Sequence, residues 1–163
     1  MAEQQLSLLP FYTGWNTYQE LLLNAIEPLS LDQLSLRTTP QLRSIGENAA
    51  HIVGTRVGMS HGIPGEGEAA IEPMDLWDSP GASARSAAEL IEDLNATWQM
   101  MANALTRWTP ADLDDVIEHT TRSGKTRRFT RQWVIWQVIE HDLHHGGEIS
   151  LLLGTHGLTG ITI

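Results

Sequence analysis

Residues 130–154, "TRQWVIWQVIEHDLHHGGEISLLLG", decide how this chain is built. The spacing predicts one long helix, opened by Thr130, whose hydroxyl can accept from a free backbone N–H of the first turn. Its end is expected near Gly154. The first half is apolar on nearly every side (Trp133, Val134, Ile135, Trp136, Val138, Ile139), the pattern of a helix surrounded by protein. The second half places three of the chain's seven histidines within five residues. Residues four apart share a helix face, so His141 and His145 point the same way and His144 is rotated off that line. The stripe they occupy runs Val134, Gln137, Val138, His141, His145, Glu148, Leu152, apolar above and below the histidine pair.

A helix of that kind needs neighbours, and the rest of the chain supplies helical patterns. From Leu8 to Leu29 apolar residues recur at helical spacing, including Phe11, Tyr12, Trp15, Leu22 and Ile26. Pro10 falls in the first turn, with Ser7 placed to cap it. A second helix opens at "SIGENAAHIV", where Ser44 and Glu47 have the spacing of a capping box, and is expected to run to about Met59. The stretch "HGIPGEGEAAIEPMDLWDSPGAS" that follows is rich in Gly, Pro and Glu and reads as a long connection. Ala87, Ile91, Leu94, Trp98, Met101, Leu105 and Trp108 then step by four and three, a bundle-type seam; its Trp and Met residues read as core. Thr109-Pro110 looks like the start of a short helical turn. "VIEHTTRSGKTRRFT" alternates loosely around Ser123-Gly124, as a small hairpin or an extended loop would. The expected fold is all-α: one domain over residues 1–163, a four-helix bundle with a long crossover between the second and third helices and a possible hairpin before the last.

Composition narrows the chemistry. A chain of 163 residues with 41% apolar and 18% charged residues can bury a real core. No cysteine is present, which excludes disulfides, thiolate nucleophiles, iron–sulfur clusters and cysteine zinc sites. Any metal must be held by nitrogen and oxygen. The formal net charge of −10 argues against nucleic acid or an anionic membrane as partner. No apolar run is long enough to span a bilayer, and the N-terminal stretch does not read as a signal peptide, so a cytoplasmic location is expected.

Two imidazoles four apart on a helix can grip one ion without backbone strain, and each free ring nitrogen can be fixed by an outer acceptor. The competing reading is a helix end carrying exposed histidines. A third ligand must come from elsewhere, and His51 is the best candidate because a bundle could bring it across. It lies off the apolar side of its helix (Ile45, Ala49, Ile52, Val53), on a strip with Glu47, Asn48, Thr55 and Gly58 that reads equally as pocket wall or solvent face. His61, His119 and His156 fall in connections or near the C-terminus and read as solvated, as His144 does on the surface. Other histidine chemistries fit less well. "HDLHH" has the spacing of a zinc-protease helix, but Asp142 is shorter than the glutamate base that chemistry uses. Paired Glu-x-x-His motifs for a di-iron bundle are missing, as is a Gly-x-Ser-x-Gly elbow.

A mid-helix histidine after a capped "SIGENAAHIV", followed by a final helix with "VIEHDLHHGGEIS", resembles the DinB-like (DinB/YfiT) superfamily of metalloenzymes. That family's last helix typically carries His-x-x-His-His-Arg-Gly-Gln, which here reads His141 to Glu148. The resemblance implies a four-helix bundle, often a homodimer, with His51, His141 and His145 facing one divalent ion that keeps positions open for water or substrate. It also implies thiol S-transfer with a low-molecular-weight thiol, thiol-dependent isomerisation, or hydrolysis. Gly146 stands where the family has arginine, and Glu148 where it has glutamine. Three imidazoles accept zinc, nickel, iron or manganese alike.

Arg122, Lys125, Arg127, Arg128 and Arg131 make up five of the ten basic residues. Arg127 and Arg128 are candidate anion ligands for a carboxylated or phosphorylated small molecule; the alternative is a solvated loop offsetting Asp114, Asp115 and Glu118. The functional expectation is a metal-dependent transferase or hydrolase acting on a small molecule, with Glu148 as candidate proton acceptor. The alternative is a non-catalytic module that binds metal or a small ligand in a stress response.

Overall fold

Reciprocal capping fixes where the helices start. Ser44 Oγ accepts from the Glu47 N–H at 3.2 Å and Glu47 Oε2 accepts from the Ser44 N–H at 2.7 Å, so two orphan donors are satisfied at once. The box foreseen there opens α3, Ile45–Arg56. In the computed structural model, which describes residues 6–61, 66–67, 69–79, 81–120 and 124–162, the same device also opens α2 (Leu31–Leu34, from Ser30 and Gln33) and α4 (Ala87–Arg107, from Ser86 and Glu89). Thr130 Oγ1 accepts from the Trp133 N–H at 3.3 Å and opens α5, Arg131–Thr155.

The chain is mostly helical, with α1 spanning Thr13–Ile26 and a two-stranded antiparallel hairpin preceding α5. The hairpin joins β1 (Val116–Thr120) to β2 (Thr126–Thr130) with Ile117 opposite Phe129, and Gly124 turns with φ +77°. Phe129 stacks on Trp133, with ring centroids 4.3 Å apart, and so docks the hairpin on α5. Ser123 and the candidate Arg122 lie outside the described residues, as does the side chain of His61. No described helix is long and apolar enough to cross a membrane.

Three details differ from the sequence reading. The first helical pattern is split: a 3-10 turn over Leu9–Tyr12 precedes α1, and Phe11 is exposed. The cause is the Leu8 N–H, which donates to the carbonyls of Leu105 and Trp108 and ties the entry to the end of α4. The α-helix expected to reach about Met59 ends at Arg56 and continues as a π-turn over Val57–His61, and the crossover is not bare connection, since it contains a 3-10 segment at Ala69–Leu76. Finally, α5 is not surrounded on all sides: Trp136 is 60% exposed and Leu143 and Leu151 are also open, all on one outer face.

Two apolar clusters form the core. One packs Leu22, Ile26, Ile45, Ile52, Leu94 and Leu153; the other packs Trp15, Trp98, Met101, Leu105, Ile135 and Val138. A buried polar network joins them. Arg56 and Asp142 are both fully enclosed, and Arg56 Nη2 reaches Asp142 Oδ2 at 2.8 Å. Arg56 also donates to Gln19 Oε1 and the Leu94 carbonyl, and Asp142 accepts from Trp15 Nε1 at 2.8 Å. One ion pair therefore draws bonds from α1, α3, α4 and α5, and every charge in it is satisfied.

Candidate metal centre

The network sets α3 and α5 side by side, and the histidines follow from that register. His141 is adjacent to Asp142, and His51 lies five residues before Arg56. The Nε2 atoms of His51 and His141 stand 3.0 Å apart although 90 residues separate them in sequence. His145, one turn further along α5, completes the group, with ring centroids 4.4 Å from His141 and 4.5 Å from His51. One nitrogen from each imidazole falls within 4.8 Å of the other two. The part of the strip carrying His51 and Thr55 thus faces His141 on α5 rather than solvent, while Gly58 faces Asp75 of the crossover.

Carboxylates behind two of the rings set their tautomers. Asp78 Oδ2 lies 2.5 Å from His51 Nδ1, and Glu148 Oε2 lies 2.7 Å from His145 Nδ1. An ionised carboxylate can only accept, so each Nδ1 carries the proton and each Nε2 presents a lone pair toward the centre. His141 is held differently. Its Nε2 is 3.0 Å from Thr55 Oγ1 as well as from His51, and its buried Nδ1 has no hydrogen-bond partner.

Electrostatics point the same way. Burial, reinforced by the neighbouring imidazoles, pushes His141 down to about 3. Burial also lowers His145, against its hydrogen bond to Glu148, which acts to raise it. Converging imidazoles, two of them presenting unprotonated nitrogens, fit a divalent cation, and nitrogen donors with carboxylates behind them are the usual dress of such sites. The His51, His141 and His145 cluster could hold a metal ion.

The remaining candidates fall around this group. Glu148 is half-buried and engaged with His145, and its Oε1 is 3.5 Å from His144 Nε2. His144 is largely exposed, as expected. Arg127 and Arg128 lie exposed on β2, away from the histidines in the chain's architecture; Arg128 pairs with Glu118 at 3.3 Å. Arg131 pairs with Asp115 and sits over the Trp108 ring. Asp78 and Thr55 escaped the sequence reading as site groups. Thr55 was visible at i+4 from His51, but Asp78 lies in the crossover, where no periodicity points to it.

Gly146 has a structural reason. A Cβ there would fall on the Tyr18 hydroxyl and ring, so α1 approaches α5 closely at this position. The chain is thus a helical bundle that gathers three imidazoles between two helices, where an ion could be held. The family model of the DinB superfamily matches residues 15–149, and the chain belongs to that superfamily. Its fold resembles the crystal structure of a DinB-like protein from Bacillus cereus ATCC 10987, with a TM-score of 0.73 at 23% identity over 96% of this chain and 97% of that one. It also resembles the DinB-like protein YjoA of Bacillus subtilis, with a TM-score of 0.60 at 17% identity over 90% and 91% of the two chains. A search among curated proteins found no match.

Proposed function

We propose that the chain is a metal-dependent enzyme that holds one divalent ion on His51, His141 and His145 and performs thiol S-transfer or hydrolysis on a small molecule. The observation that carries this reading is the convergence of three ring nitrogens, two of them with a carboxylate fixing the far side of the ring. A bound ion in such a site supplies a lowered pKa to water or a thiol and so a nucleophile at neutral pH. The chain's own residues do the rest. Asp78 and Glu148 hold the protons on the outer nitrogens, which keeps both rings aimed inward. Glu148, at 44% exposure, can also exchange a proton with solvent, which suits it to accept one from an incoming substrate. The Thr55 hydroxyl, beside His141, is placed to donate a hydrogen bond into the same space.

Elemental analysis of untagged protein tests the site. One equivalent of a transition metal is expected in the native chain and substantially less in His141→Ala; full retention in that variant would sink the triad. Activity is then read by screening low-molecular-weight thiols against electrophiles, with and without the ion. Metal retention with no turnover across that screen would favour the non-catalytic binding module. A homodimer belongs to the same reading through the family, and light scattering should give twice the chain mass of 18.1 kDa.

A further inference from the structure

Beside Asp78 lies an open cavity of about 310 Å³, which no histidine of the cluster lines. That volume is at the lower end of what small-molecule sites occupy. Three arginines line it, from two connections: Arg37 and Arg43 between α2 and the α3 cap, and Arg85 just before the α4 cap. Trp77 and Asp78 come from the crossover and Glu47 from the first turn of α3. Ten basic residues serve the whole chain against a net charge of −10, and three of them meet at this one hollow.

The local charges do not cancel. Glu47 pairs with Arg37 at 2.8 Å but is already committed to capping Ser44. Asp78 pairs loosely with Arg43, at 3.5 Å, and is already committed to His51 Nδ1. Arg85 makes no hydrogen bond or ion pair among the described residues. Its guanidinium carbon lies over the Trp77 ring, 3.0 Å from the ring centre, and its enclosed Nε has no partner. Asp93 on α4 feels Arg85 through space without bonding it. Among the lining residues three guanidinium groups thus face two carboxylates, both shared, and half-buried Arg85 is stacked on Trp77 with no direct partner, Asp93 and Glu89 acting on it only through space.

We propose that the cavity bounded by Arg37, Arg43, Arg85 and Trp77 binds the carboxylate of a small organic acid. A guanidinium edge matches a carboxylate in a two-pronged contact, and stacking on Trp77 presets the Arg85 plane. A monoanion matches the one lining guanidinium that has no direct partner. A phosphate dianion would overshoot it next to Asp78 and Glu47. The placement also gives the site a purpose. Asp78 is the common wall between this cavity and His51, so an acid anchored on the arginines lies next to the histidine cluster. The carboxylate would then be the handle by which a small acid is held. The inference needs only the cavity and its arginines, and it stands or falls separately from the metal ion.

The test is NMR titration of the whole chain at low ionic strength with sodium butyrate, inorganic phosphate and sodium chloride in parallel. The Trp77 indole N–H, assigned with Trp77→Phe, and the Gly81 amide report on the cavity. Butyrate is expected to move both signals saturably, more tightly than phosphate, with chloride inert. Arg85→Gln should weaken that binding roughly tenfold or more, the loss of a charge-assisted contact. Arg127→Gln with Arg128→Gln should leave it unchanged. If Arg85→Gln fails to fold by circular dichroism, Arg43→Gln carries the same expectation. Absence of saturation with butyrate, tighter binding of phosphate, or equal loss in the hairpin double variant would overturn the proposal. Metal content read by elemental analysis is untouched by any of these outcomes, so failure here and failure of the metal centre are told apart.

Discussion

Arg56 Nη2 lies 2.8 Å from Asp142 Oδ2, and neither side chain is open to solvent. The pair belongs to α3 and α5, the two helices that carry the histidines, and it is the polar pin that sets one against the other. Removing one partner strands the other charge in the core. Asp142→Asn is expected to destabilise the chain by about 3–5 kcal/mol, measured by urea unfolding. Replacing both, with Arg56→Met and Asp142→Leu, should cost less than either single change because no charge is left unpaired. A double variant weaker than both singles would contradict that account.

Asp78 comes from the crossover, yet its carboxylate holds the proton on His51 Nδ1. Asp78→Ala frees that ring to rotate and to take the other tautomer. Affinity for the ion, measured by competition with a chromophoric chelator, should fall about 10–100-fold. Glu148→Ala should act in the same direction through His145.

Gly146 faces the Tyr18 hydroxyl at a separation that leaves no room for a methyl group. Gly146→Ala should therefore destabilise by about 1–3 kcal/mol despite the better helix propensity of alanine. Adding Tyr18→Phe removes the closest atom and should restore part of the loss in thermal unfolding.

Asp93 is 6% exposed, with an unpartnered Oδ2, and burial raises it to about 6. Arg85 pulls against that rise, and Glu92 and Glu89 add to it. The unfolded chain gives up this proton near the ordinary carboxylate value of about 3.9, and the folded chain holds it longer. Between pH ~4 and ~6 the native state binds more protons, so this group's contribution to stability falls as pH rises. Above pH ~6 the full penalty of a buried charge is present. Asp93→Asn should gain on the order of 1–2 kcal/mol over the native chain at pH 7.5, and the gain should vanish near pH 4. Thermal unfolding of both chains at the two pH values checks it.

Much of the scaffold was legible because its signals are local. Ser44 with Glu47 and Thr130 before Trp133 mark helix starts within a single turn, and the structure uses both as caps. His141 and His145 share a face by helical geometry alone, and their rings lie 4.4 Å apart. Trp98, Met101 and Leu105 are buried as the seam of α4 requires. The hairpin was readable as one of two options and forms as strands paired from Val116–Thr130 to Thr120–Thr126.

The rest depends on which helix packs on which face. The apolar side of α3 excludes His51, so periodicity alone left that residue between a pocket and solvent; His51 and Thr55 meet His141 because Arg56 and Asp142 bond α3 to α5. The all-round apolar pattern of α5 suggested full enclosure, yet Trp136 remains open because no described element covers that face. Asp78 and Arg85 sit in stretches with no repeat, and only the folded crossover delivers one to His51 and the other to the ring of Trp77. The sequence by itself determined the helices and the histidine pair, since both rest on interactions within one turn. Tertiary structure decided the third histidine, its carboxylate and the arginine cavity, because those contacts join residues that only long-range packing brings together.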